Sequence, residues 1–265
     1  MAGEYVSLNT DFIKANLGTV RIGKEIIVYK STSSTNDITA EYAKGGRKND
    51  GLVVFAEYQT AGRGRRGSAW LSEPGKSILC SILLYEPDIK PDALVLACAV
   101  GVGETIGRCG RNEAKIKWPN DILLNDKKAA GVLVEGISVK KQKFFVVGIG
   151  INCHQKKEEF PDELAQTATS IDIQSGTVCD RNRIAKRLLV NLDHCLASEL
   201  KTPGEIVEKW CSMSILLGRR ITVEHNGRQF TGNCIGIEPA EGLIIQLERG
   251  GVKIFDAATT AIVKS

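Results

Sequence analysis

The 265-residue chain has no long hydrophobic run. Its longest apolar stretch, "ALVLACAVGVGETIG" from Ala93, is too short for a bilayer and is broken by Glu104. The opening "MAGEYVSLNTDFIKANLG" lacks the apolar core of a secretory signal peptide. A cytoplasmic protein with no membrane partner is therefore expected. Histidine is scarce: His154, His194 and His225 lie far apart without ligand spacing, which argues against a zinc site. The cysteines, at 80, 98, 109, 153, 179, 195, 211 and 234, include no CxxC pair. Several sit in apolar runs such as "SILCSILLY", so they read as free thiols packed in a reducing compartment rather than a disulfide framework. A net charge of only +4 excludes a polycation that binds nucleic acid over its whole surface; any basic patch must be local. Internal repeats and low-complexity segments are absent too.

What is present is ordinary globular composition, 43% hydrophobic and 25% charged, enough for one large domain with a small module. "SSTNDITAEYAKGG" reads as a capped helix closed by glycines. "GLVVFAEY" and "SILCSILLY" read as strands around a loop. "PDALVLACAVGVGETIGRCG" reads as a buried helix from Pro91 to Gly110. "AKIKWPNDILLNDKKAAGVLVEGISV" reads as strand, proline bend, strand, charged turn carrying Lys127, strand. "QKFFVVGIGINC" is a buried strand, and "CDRNRIAKRLLVNLDHCLASEL" an amphipathic helix. Beyond "PGEIVEKWCSMSILLG" the texture changes to short alternating strands punctuated by "HNG" and "ERGG", the signature of hairpins and of a small barrel. The boundary falls at Gly218, giving units 1–217 and 218–265.

The loop "AEYQTAGRGRRGSAW" (56–70) carries the chemistry. Gly62, Gly64 and Gly67 satisfy GxGxxG after a strand, but "SAWLSEPGKS" follows, and Pro74–Gly75 forbid the helix that a dinucleotide fold needs there. Ser68 stands where a phosphate-binding P-loop needs lysine. What remains is a loop whose arginines can close on an anion. A solvated basic loop and a single-stranded nucleic-acid surface, using Tyr58 and Trp70, compete with that reading. In "KIKWPNDILLNDKKAAG", Lys117 and Lys128 flank Asn120 and Asp121, whose oxygens could hold a divalent cation. Core packing of Trp118–Pro119 and an exposed lysine turn are the bland alternatives. The hydroxyls of "SSTND" could cap a helix or face a small polar ligand.

Taken in order, "STN" (34–36), "AEYQTAGRGRRGSAW", "KWPNDILLNDKKAAG", "GIGIN" (148–152), "ATSI" (168–171) and the terminal "LLGRRITV" resemble the biotin protein ligase family, the biotin–[acetyl-CoA carboxylase] ligases. The resemblance implies an α+β catalytic domain, a mixed sheet flanked by helices, followed by an SH3-like barrel. It implies formation of biotinyl-5′-AMP from biotin and ATP, then transfer to a lysine of the biotin carboxyl carrier protein. By the same resemblance Ser34, Thr35 and Gln59 meet the ureido ring, with Asn36 beside them. Arg63, Gly64 and Arg65 cover the carboxylate and phosphate. Lys128 bridges carboxylate and α-phosphate, so that Lys128 and Arg65 are the catalytic pair. Gly62 and Gly131 allow close approach to biotin. Arg66, Trp70 and Asn152 join Arg65 and Lys128 on ATP, with Trp70 as a lid against adenine, and Asn120 and Asp121 stand on the Mg²⁺ side. "STN" begins at Ser34, leaving no room for the N-terminal DNA-binding domain of some members, so no DNA partner is expected. A lipoate–protein ligase, a nucleic-acid-binding module and a relative that only sequesters biotin are the rivals; a homodimer is left open.

Overall fold

The computed structural model describes residues 6–86, 88–109 and 113–264. The first sheet contains β1 (Ile26–Tyr29), β2 (Val53–Ala56), β3 (Ser77–Leu84), β4 (Lys115–Lys117), β5 (Asp121–Leu124), β6 (Lys127–Val139) and β7 (Gln142–Asn152). Their spatial order is β1-β2-β3-β7-β6-β5-β4. β1 and β2 pair in parallel and the rest antiparallel, so the sheet is mixed, as expected. Two tight hairpins build its centre, turning at Asn125–Asp126 (φ 49° and 60°) and Lys140–Lys141 (φ 50° and 66°). Positive φ at both central residues matches the right-handed twist of the flanking strands. Lys127 is therefore not a turn residue: it already begins β6, opposite Leu124.

The helices are α1 (Thr10–Lys14), α2 (Thr35–Tyr42), α3 (Pro91–Gly107), α4 (Ile171–Ser175), α5 (Arg181–Lys201) and α6 (Pro203–Met213). Pro91 opens α3 with its φ preset and no N–H to satisfy. α3 is apolar on nearly every side because it lies between the sheet and α5. Its expected stop at Gly110 falls outside the described residues. α5 shows one apolar face, with Ile184, Leu188, Leu192 and Cys195 buried, and Asp180 caps it through the Arg183 N–H. These two helices cover one face of the sheet, meeting Ile122, Ala130, Val132, Ile149 and Ile151. α2 lies on the other face, near Val54, Leu83, Phe144 and Val146. Strand alternation explains "GIGIN": Ile149 and Ile151 enter the α3–α5 core, so Gly148 and Gly150 point to the opposite face.

The second sheet holds β8 (Arg220–His225), β9 (Arg228–Glu238), β10 (Gly242–Leu247), β11 (Val252–Phe255) and β12 (Thr260–Lys264). All are antiparallel, in the order β11-β10-β9-β8-β12. Asn226–Gly227 and Gly250–Gly251 turn with positive φ, as "HNG" and "ERGG" imply. Ile221, Val223, Cys234, Ile245 and Phe255 belong to a core continuous with that of the larger sheet. The eight cysteines are free thiols. Among the described residues, no helix is long and apolar enough to cross a membrane.

Candidate functional site

The site begins with glycines. Gly131 and Gly150 face each other across β6 and β7. A Cβ on Gly150 would stand 2.3 Å from Trp70 Cε2, and one on Gly131 3.2 Å from Trp70 Cζ3. A Cβ on Gly148 would stand 2.3 Å from Asn36 Oδ1. The bare strands thus form a floor on which the Trp70 indole and the Asn36 amide lie. Trp70 is delivered there by the arginine–glycine loop, which is folded: Trp70 N–H donates to Gly62 C=O at 2.9 Å, and Arg63 bridges Ala69. Residues Arg65–Gly67 make a short 3-10 turn with Arg66 at φ 54°. Gly62 serves this closure, since its Cβ would stand 2.5 Å from the Trp70 carbonyl oxygen.

Between floor and loop lies a cleft of about 210 Å³, lined by Ser34, Thr35, Asn36, Gln59, Arg63, Gly64, Arg65, Trp70, Asn120, Asp121, Lys128 and Gly131. A second cavity beside Asp92, Pro119 and Ala257 measures about 10 Å³, no more than a water. One end of the cleft is polar and neutral. Thr35 donates to Gln59 Oε1 through its N–H (2.7 Å) and its hydroxyl (2.9 Å). Ser81 Oγ lies 2.6 Å from both Thr35 Oγ1 and Asn36 Oδ1, and Asn36 Nδ2 donates to Glu135 Oε2 at 2.6 Å. Ser34 precedes α2 but makes no side-chain capping bond. It is buried and lines the cleft.

The other end is cationic. Lys128 lies beside a register shift between β5 and β6, and its backbone bridges Ala168 of "ATSI" through Thr167 C=O (2.7 Å) and Thr169 N–H (2.9 Å). Its Nζ lies 2.6 Å from Asp121 Oδ1. Arg65 donates to Asn120 Oδ1 at 3.4 Å and to the Ala257 carbonyl. Burial and the neighbouring Arg66 charge lower the Arg65 pKa, against the opposing pull of Asp92 and Asp121. Such a buried guanidinium gains from an arriving anion. Arg63 stands toward the Asn36 end instead, its charge offset by Asp37 at 2.7 Å and by Glu135, the partner of Asn36, at 3.4 Å; the Asp37 hydrogen bond leads in raising its pKa.

Three expected site residues stand apart. Arg66 turns away from the cleft and donates to the Thr260 carbonyl at 2.8 Å. Asn152 is buried behind the cleft, donating to Thr169 C=O at 3.0 Å and accepting from Gln155 at 3.4 Å, because it ends β7 on the side of α4. Gly62 belongs to the loop's own fold and does not line the cleft. Sequence reasoning missed Ser81, Glu135 and the 256–260 connection. Ser81 and Glu135 carried a usable signal, since each interrupts a run of apolar residues, "ILCSILL" and "VLVEGI".

The donors fit a nucleotide better than a tightly held metal. Trp70 Nε1 is buried without a hydrogen-bond partner among the described residues, and its indole packs on the glycine floor as one wall of the cleft. For Mg²⁺ the chain offers the Asp121 carboxylate, already paired with Lys128, and the Asn120 amide oxygen. That set suits an ion that keeps most of its waters and leans on phosphates.

The model of the biotin/lipoate A/B protein ligase family matches residues 28–152, a span from within β1 to the end of β7. The bifunctional ligase/repressor BirA of Bacillus spizizenii is 32% identical over 257 residues, 94% of this chain and 78% of that protein. The biotin–[acetyl-CoA-carboxylase] ligase of Mycobacterium tuberculosis is 33% identical over 212 residues, 78% of this chain and 77% of that one. The biotin protein ligase of Aquifex aeolicus, solved in complex with biotin and ATP, superposes with a TM-score of 0.78 at 30% identity, over 91% of this chain and all of that one. The chain belongs to the biotin/lipoate A/B protein ligase family.

Proposed function

We propose that the protein is an ATP-dependent biotin–protein ligase acting on a lysine of a biotin carboxyl carrier protein. The observation that carries the reading is a single cleft with a neutral hydrogen-bonding end and a cationic end, closed by one loop. A ureido ring is neutral and takes hydrogen bonds, which suits Ser34, Thr35 and Gln59 near Asn36. A carboxylate and a phosphate meeting at the other end repel each other, and Lys128 and Arg65 are the charges that offset this repulsion.

In the first step the biotin carboxylate attacks the α-phosphorus of ATP, giving biotinyl-5′-AMP and pyrophosphate. Lys128 is the group we place on the developing charge, with Asp121 holding its Nζ until the anions arrive. In the second step an acceptor lysine amine attacks the mixed anhydride and AMP leaves. Trp70 forms the adenine-side wall, and the folded loop excludes water from the anhydride. Asn120 and Asp121 would hold Mg²⁺, which supplies charge neutralisation on the phosphates. Residues 218–265 form the small C-terminal unit of this reading, and its Ala257 and Thr260 carbonyls hold Arg65 and Arg66 of the loop.

Labelled biotin incubated with a carrier domain tests the proposal: incorporation should require ATP. Pyrophosphate exchange with biotin and lipoate in parallel should favour biotin. Exchange driven equally by lipoate would move the assignment to the lipoate side of the family.

A further inference from the structure

The chain gathers a second set of ligating side chains behind the cleft. His154 follows the end of β7, Asp172 lies in the first turn of α4, and Cys179 sits in the turn before α5. Their ligating atoms all fall within 4.8 Å of one another. His154 Nδ1 lies 2.7 Å from Asp172 Oδ2 and 3.9 Å from Cys179 Sγ. Backbone bonds fix the group: Asp172 N–H donates to Cys153 C=O at 3.0 Å, and Cys179 N–H donates to Asp172 Oδ1 at 2.8 Å. The imidazole is almost fully buried, with its side chain 3% exposed.

We propose that His154, Asp172 and Cys179 form a binding site for a thiolate-accepting divalent cation of the Zn²⁺ class. Zinc bonds of roughly 2.0–2.3 Å at tetrahedral angles put ligand atoms about 3.4–3.6 Å apart. The observed separations of 2.7 and 3.9 Å bracket that range, so shifts of about an ångström or less within these side chains would seat the ion. A nitrogen, a sulfur and one carboxylate oxygen select against Mg²⁺ and Ca²⁺, which take oxygen ligands. Both neighbours converge on Nδ1, which rules out a cysteine–histidine–aspartate relay, since a relay uses the two ring nitrogens separately. Binding releases the Cys179 thiol proton and takes the imidazole in its neutral form, with the ring proton on Nε2 and the Nδ1 lone pair on the cation.

The ion would brace the nucleotide side of the cleft. It would tie the end of β7 to α4 and to the start of α5. The 167–169 segment that enters α4 is the one hydrogen-bonded to the Lys128 backbone. The separation of 154, 172 and 179 along the chain follows no zinc-finger spacing, which is why sequence reading passes over it.

The test uses full-length, fully reduced protein, stripped with chelator and then loaded with Zn²⁺ or Co²⁺. Close to one equivalent of Zn²⁺ should survive dialysis. The Co²⁺ form should show a near-ultraviolet thiolate-to-cobalt band. Cys179→Ser and His154→Gln should lose the band and weaken binding by more than the roughly 10–100-fold of a lost outer-shell partner, with Cys211→Ser unchanged. Zn²⁺ should also slow alkylation of Cys179 in the wild-type chain, a readout that needs no variant to fold. Less than about a tenth of an equivalent retained, no thiolate band, or Cys179 alkylation indifferent to Zn²⁺ would each overturn the site.

Discussion

Gly131 and Gly150 stand directly opposite each other on β6 and β7, and the Trp70 indole lies across both. The pairing turns two residues from distant motifs into one requirement. Gly150→Ala would put a methyl 2.3 Å from the ring, on a backbone held by neighbours on both sides, so the indole must yield. Overpacking of this kind costs about 1–3 kcal/mol. KM for ATP should rise roughly tenfold or more, while the circular dichroism of the sheet stays as in wild type. An unchanged KM would mean that Trp70 does not border the nucleotide.

Lys128 and Lys127 adjoin in sequence, yet Lys128 alone ion-pairs with Asp121 in the cleft. Lys128→Ala should slow adenylate formation, read by pyrophosphate exchange, by on the order of a hundredfold or more, the scale for losing one preorganised charge. Lys127→Ala should change little. Equal effects would show that the register of the assignment is wrong.

Arg65 links the loop to Asn120 and to the Ala257 carbonyl of the smaller unit. Arg65→Gly removes both contacts and loosens the loop backbone. Adenylate should still form but escape, and free adenylate acylates any exposed lysine. Biotin incorporation into an unrelated lysine-rich protein should rise at least several-fold, with faster dissociation of preformed adenylate. Retention and specificity at wild-type values would remove containment from the loop's role.

Glu199 on α5 has a buried Oε2 without a hydrogen bond among the described residues. Burial, with a smaller push from the Glu238 charge, raises its pKa from 4.5 to about 7. Between those values the folded chain holds a proton that the unfolded chain releases, so this group's contribution falls as pH climbs from 4.5 to about 7 and levels off above. Glu199→Gln should flatten that dependence. With allowance for solvent screening it should raise stability at pH 8 by about 1 kcal/mol, roughly 2–4 °C in Tm. A wild-type slope retained in the variant would assign the pH dependence to other groups.

Much of the architecture is local, and the sequence by itself determined it. Pro91 opens α3, Asn226–Gly227 turns a hairpin, and the period-two pattern of "GIGIN" separates core isoleucines from cleft glycines. Each follows from backbone sterics or from side-chain alternation within a few residues. The ordered motifs also placed Ser34, Thr35, Gln59, Arg65 and Lys128 in one cleft. Tertiary structure decided what depends on register and on chain crossings. Asp121 meets Lys128 across strands whose register shifts beside them, and Arg65 and Arg66 reach carbonyls nearly two hundred residues onward. Asn152, in the same motif as the cleft glycines, ends as a buried structural amide. A strand's pattern tells which face a side chain takes, but only the packed neighbours set what it meets there.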